Sequence, residues 1–128
     1  MSHANQKAII LDCVGPVLSA DEKALYREHN PHGFILFQRH CESADQVKKL
    51  VSDLRDAVGR DDAPVLIDQE GGSVARLREP AFREFPSALK YREMVREDLT
   101  AAEQAVYENA ALMAKQLVDL GINVNCTP

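Results

Sequence analysis

Asp68 and Glu70 stand two residues apart at the end of an apolar run, followed at once by Gly71 and Gly72 and then by Arg76. Carboxylates accept protons and hydrogen bonds, a guanidinium donates several, and paired glycines let a backbone turn sharply beside a ligand. An acid/base pair flanking a bond needs carboxyls about 5–10 Å apart and facing each other. Side chains i and i+2 of one strand lie side by side on one face, which is poor geometry for that chemistry. Asp68 suits the role of acceptor for ligand hydroxyls better, and Glu70 that of a brace for the glycine turn or a neighbouring arginine. Arg76 follows Asp68 by eight residues, far enough for the loop to double back over the same pocket. There its guanidinium can donate to ligand oxygens or to Asp68. The alternatives are a solvated surface charge for Arg76 and plain turn punctuation for the glycines.

These groups need elements to hold them. Residues 8–14 form an apolar strand candidate stopped by Gly15 and Pro16. Ser19 and Glu22 have the spacing of a capping box, opening a helix to about His29. A second apolar strand spans 33–37 and ends in Gln38, Arg39 and His40. Ser43 and Gln46 repeat the capping-box spacing, and Val47, Leu50, Val51, Leu54 and Val58 make one helical stripe up to Gly59. The run 64–68 is a third strand, short and apolar enough to be buried on both faces. Residues 78–99 read as a polar excursion with one helical turn. Thr100 and Glu103 make a third capping box, and Val106, Ala110, Met113, Leu117 and Leu120 follow at heptad-like spacing until Gly121. A fourth strand occupies 122–126, before Thr127 and Pro128.

Strand and helix therefore alternate, which defines an α/β class with a parallel sheet and right-handed crossovers. Every strand leaves polar groups at its carboxyl end: Asp12, then Gln38, Arg39 and His40, then Asp68, Gln69 and Glu70, then Asn125. In a parallel sheet those ends share a rim, where ligands bind. Asp12 taken alone reads as a loop anchor. An open doubly wound sheet and a (β/α)₈ barrel both fit the alternation. A barrel takes about 250 residues, so four strands would be half of one.

Composition narrows the partners. The chain has 128 residues and a net charge of −5 with the two signs interleaved, which speaks against nucleic acid or an anionic membrane. It contains no apolar run long enough to span a bilayer. The first residues lack the apolar core and cleavage site of a signal peptide, so the expected compartment is the cytoplasm. Cys13, Cys41 and Cys126 form neither a metal knuckle nor a disulfide framework, and Cys13 and Cys126 read as buried, reduced thiols. His3, His29, His32 and His40 contain no HExxH pair. No metal and no cofactor is expected. Phosphate-loop motifs and Ser-His-Asp or Cys-His arrangements are lacking too.

The string Ile67-Asp68-Gln69-Glu70-Gly71-Gly72-Ser73-Val74-Ala75-Arg76-Leu77 resembles the signature of glycoside hydrolase family 3, in its cytoplasmic β-N-acetylhexosaminidase branch. The segments 33–40 and 121–128 resemble that branch's second-strand and fourth-strand segments. Ser73 stands where an arginine is common, and His40 where asparagine is usual. The resemblance implies that residues 1–128 are the amino-terminal half of a (β/α)₈ barrel, cut after its fourth strand. It implies a retaining hydrolase that removes terminal β-linked N-acetylglucosamine from muropeptides in peptidoglycan recycling. Asp68 and Arg76 would then bind the sugar, with Glu70, Gly71 and Gly72 shaping the rim. The family's nucleophile and acid/base lie on a later strand and loop, so no catalytic residue is expected among these positions. The competing expectations are a non-catalytic sugar-binding or interaction module and an unrelated nucleotide binder, the latter disfavoured by the missing phosphate loop. A half barrel would expose apolar edges and self-associate.

Overall fold

A computed structural model describes residues 5–127, leaving His3 and Pro128, both cited above, outside the described residues. The elements run β1 (Lys7–Leu11), α1 (Ala20–His29), β2 (Pro31–Leu36), a 3₁₀ turn over Gln38–His40, α2 (Ala44–Val58), β3 (Val65–Ile67), α3 (Ala88–Glu97), α4 (Leu99–Asp119) and β4 (Val124–Asn125). All four strands are parallel and lie in chain order, β1-β2-β3-β4. A doubly wound sheet reverses its strand order at a switch point, whereas a (β/α)₈ barrel keeps sequential order all the way round. The order observed is the barrel's.

The first two capping boxes form where the spacing puts them. Ser19 Oγ accepts the Glu22 N–H at 3.2 Å while the Glu22 carboxylate accepts the Ser19 N–H at 2.9 Å. Ser43 and Gln46 make the equivalent pair at the start of α2. The stripe Val47, Leu50, Val51 and Leu54 is fully buried against Phe34, Leu36, Val65 and Ile67 of the sheet. Burying such side chains contributes roughly 1.5–3 kcal/mol each. Val58, the last of the stripe, is partly buried against the same core.

Two expectations are corrected. The excursion holds a ten-residue helix, α3, rather than one turn. It buries none of its own side chains, so no apolar stripe announces it. The third capping box does not form, because Asp98 caps α4 instead, its Oδ1 accepting the Ala101 N–H at 3.0 Å. Helix α4 therefore begins at Leu99, and only part of the heptad-like series is buried: Met113 and Leu117 with the capping Leu120, but not Val106.

The strands are shorter than the apolar runs. Strand β4 has two residues, and side-chain amides add bonds beside the backbone ladder at both its ends. Asn123 Oδ1 accepts from Val65 N at 2.8 Å, and Asn125 Oδ1 from Gln69 N at 3.0 Å. Strand β1 is exposed rather than buried, with Ile9 45% and Ile10 37% accessible at the free edge of the sheet. Among the described residues no helix is long and apolar enough to cross a membrane.

Candidate functional site

The parallel strands deliver their carboxyl ends to one rim. Strand β3 ends at Ile67, and Asp68 follows with its side chain partly buried. The loop beyond doubles back so that Arg76 Nη2 donates to Asp68 Oδ2 at 2.8 Å. Asp68 and Arg76 thus meet, and the solvated-charge alternative for Arg76 gives way to an ion pair with side chains 28% and 26% exposed.

Gln69 makes this return possible. Its side chain is buried and grips the incoming backbone at Arg76 and Leu77. Oε1 accepts the Arg76 N–H at 2.9 Å and the Leu77 N–H at 3.1 Å, while Nε2 donates to the Leu77 carbonyl at 3.3 Å. An amide can do this because it carries donor and acceptor together, as a peptide unit does. Sequence reasoning placed Gln69 on the rim but gave it no role. The available signal was an uncharged amide set between two carboxylates at a strand end.

The glycine pair is shape rather than punctuation. Gly71 and Gly72 have φ +97° and +62°, values that L side chains rarely adopt. A Cβ on Gly71 would fall 2.3 Å from the Pro86 carbonyl oxygen, and one on Gly72 2.6 Å from Ser87 Cβ. The Gly72 N–H donates to the Phe85 carbonyl at 2.8 Å, so the turn is docked on the segment leading into α3. Glu70 contributes through its backbone, its N–H donating to the Val74 carbonyl at 2.9 Å. Its carboxylate makes no ion pair among the described residues, and the residue borders a cavity of about 390 Å³ beside β4, with Tyr91, Val106, Met113 and Val124. The arginine that braces the turn is Arg78, donating to the Ser73 carbonyl at 2.8 Å and pairing with Glu84 at 3.4 Å.

The other strand ends join the same rim. Asp12 pairs with Arg39, and its carbonyl accepts the Tyr26 hydroxyl at 2.6 Å, the anchoring role expected of it. Phe37 lies under two guanidiniums, Arg39 Cζ at 5.1 Å and Arg76 Cζ at 6.0 Å from its ring centroid. His40 is fully buried between the ends of β1 and β2. Its Nδ1 accepts the Phe37 N–H at 2.8 Å, which leaves Nε2 to carry the proton and donate to the Cys13 carbonyl at 2.7 Å. Burial lowers the His40 pKa, in keeping with a neutral ring.

Asn125 on β4 completes the rim, its Nδ2 donating to the Gln69 carbonyl at 2.9 Å. Cys13 is buried and its thiol is pushed up to about 11, by burial first. Cys126 is only partly buried, short of the full burial expected, and its thiol is raised by burial and then by the nearby Asp68 carboxylate. Among the described residues no group of three His, Cys, Asp or Glu side chains is placed to hold a metal ion.

No protein-family model matches the chain. It is 40% identical over 120 residues to the β-hexosaminidase of Methylococcus capsulatus, covering 93% of this chain and 34% of that protein. The β-hexosaminidase of Shewanella frigidimarina is 33% identical over 120 residues, again covering 34% of its length. Among solved structures, NagZ from Neisseria gonorrhoeae in complex with N-trifluoroacetyl-D-glucosamine superposes with a TM-score of 0.89 at 25% identity, over 100% of this chain and 38% of that one. A glycoside hydrolase family 3 β-N-acetylglucosaminidase from Paenibacillus gives 0.75 at 29% identity, over 91% and 21%. The fold is the one these glycoside hydrolase family 3 structures share, and over nearly its whole length the chain is similar to proteins of that family. Within it the likeness is to the β-hexosaminidases, of whose length the chain spans about a third.

Proposed function

We propose that these residues are the amino-terminal part of a retaining β-N-acetylhexosaminidase that releases terminal β-linked N-acetylglucosamine from muropeptides in cytoplasmic peptidoglycan recycling. The observation that carries this reading is the Asp68–Arg76 pair at the carboxyl end of β3, in a chain whose relatives are β-hexosaminidases. A carboxylate and a guanidinium 2.8 Å apart offer acceptors and donors side by side, the pattern that grips adjacent sugar hydroxyls. Asp68 and Arg76 bind the sugar. Gly71 and Gly72 bring backbone close to it, and Glu70 sets the turn through its N–H.

Retaining hydrolysis needs a nucleophile and an acid/base on opposite sides of the bond, about 5–5.5 Å apart. Among the described residues of this rim, Asp68 is engaged by Arg76 and Asp12 by Arg39, while Glu70 sits two residues from Asp68 on the same turn, so no two carboxylates face each other across a pocket. The 128-residue chain therefore holds sugar without cleaving it. A pure sample should show no turnover of a chromogenic β-N-acetylglucosaminide. Turnover abolished by Asp68→Ala would overturn that reading. Added N-acetylglucosamine should perturb the amide resonances of Asp68, Gly71, Gly72 and Arg76 weakly and in fast exchange. No response there removes the site assignment, and tight calorimetric binding favours a stand-alone sugar-binding module.

A further inference from the structure

We infer that Phe37 and Arg39 are positioning residues for the Asp68–Arg76 pocket, the Phe37 ring holding the Arg76 guanidinium in the orientation that meets Asp68. The inference rests on reading that pocket as a sugar site. Two guanidiniums over one ring would repel each other, but each has its own carboxylate, Asp12 for Arg39 and Asp68 for Arg76. The outcome is a row, Asp12, Arg39, Phe37, Arg76, Asp68, that crosses the ends of three strands. Cation and ring attract through the negative face of the ring. The Phe37 main chain is held in turn by His40, which accepts the Phe37 N–H at 2.8 Å and ties it to the end of β1.

Arg76 itself shows that this orientation is imposed. Its Nε is buried with no hydrogen-bond partner, and of its donors only Nη2 reaches Asp68. A guanidinium free to turn would satisfy more of them. Gln69 holds its backbone at 2.9 Å, and the Phe37 ring lies against the guanidinium, 6.0 Å from its Cζ to the ring centroid. Nη1 is left available for a ligand oxygen. Arg39 is 49% exposed and Phe37 only partly buried, so the row is not a requirement of core packing.

The test is the Arg76 Nε–H resonance of the arginine-labelled chain, which reports ring-current shift and solvent exchange without any sugar. Phe37→Leu should move this signal toward the ordinary arginine position and speed its exchange about two- to fivefold, the equivalent of one exposed guanidinium–ring contact. Phe37→Tyr should restore both. Arg39→Gln should shift the signal in the same sense while the core amide spectrum stays unchanged. An Arg76 signal indifferent to both Phe37→Leu and Arg39→Gln overturns the inference. N-acetylglucosamine added to the unaltered chain reads the other claim separately. A signal that answers to Phe37 and Arg39 but not to sugar keeps the positioning role and removes the sugar site.

Discussion

Asn125 and Gln69 clasp each other through a pair of opposed hydrogen bonds, Gln69 N donating to Asn125 Oδ1 at 3.0 Å and Asn125 Nδ2 donating to the Gln69 carbonyl at 2.9 Å. The Gln69 side chain meanwhile holds the loop at Arg76 and Leu77. Replacing Gln69 by Leu keeps the volume but strands two backbone N–H groups in a buried setting. That should cost about 2–4 kcal/mol. Urea unfolding should show a lower midpoint at unchanged slope, and Gln69→Leu should also blunt the sugar response of Arg76.

His40 makes stability depend on pH with a definite sign. Its folded pKa is depressed by burial, so below about 6.5 the unfolded chain takes up the proton first. Stability is then fully present above that value and falls as pH drops through the folded pKa. Protonating Nδ1 would also turn the acceptor of the Phe37 N–H into a donor. Unfolding measured between pH 7.5 and 5, ranges set by the reference histidine value of about 6.5, should lose stability in the parent chain. His40→Asn should flatten that loss, and an unchanged slope would exclude His40 as its source.

The two rim glycines should differ in their tolerance. Left-handed backbone costs an L residue about 1–2 kcal/mol, so alanine is penalised at both. Gly71→Ala adds a clash with the Pro86 carbonyl oxygen, which is backbone, whereas Gly72→Ala meets the Ser87 side-chain carbon. Gly71→Ala should therefore unfold at the lower temperature. It should also loosen the 85–87 segment, seen as faster amide exchange there.

The sheet leaves β1 and β4 at its edges, with Ile9, Ile10 and Val124 partly exposed along them. Open apolar edges invite pairing with another chain. A polypeptide of these 128 residues should sediment as more than a monomer, and Ile9→Lys with Val124→Lys should shift it toward the monomer. A monodisperse monomer in the parent chain would count against the prediction.

What the sequence disclosed follows from how local each cause is. Helix α2 was legible because its cap, its stripe and its stop all lie within seventeen residues of chain, Ser43 to Gly59. The Asp68–Arg76 pair was legible because eight residues suffice for a loop to return, and the resemblance of the signature string is what raises the expectation of a sugar contact there. Helix α3 was not, because it buries nothing and its packing partner is another helix. The Thr100–Glu103 spacing misled because Asp98, two residues earlier, caps first. Gln69 and His40 were opaque for another reason. Their partners are set by where distant segments arrive, 56 residues away for Asn125 and 27 for Cys13.

That same separation orders the events of folding. The clasp on Gln69 closes a loop of 56 residues, among the slower contacts a chain of this kind can make. A polypeptide emerging from the ribosome can complete β1, α1, β2 and α2 and pair β3 before Asn125 has been synthesised. The rim carrying Asp68 then acquires the Asn125 clasp only when β4 docks, so the pocket matures after the β1–β3 strands it stands on.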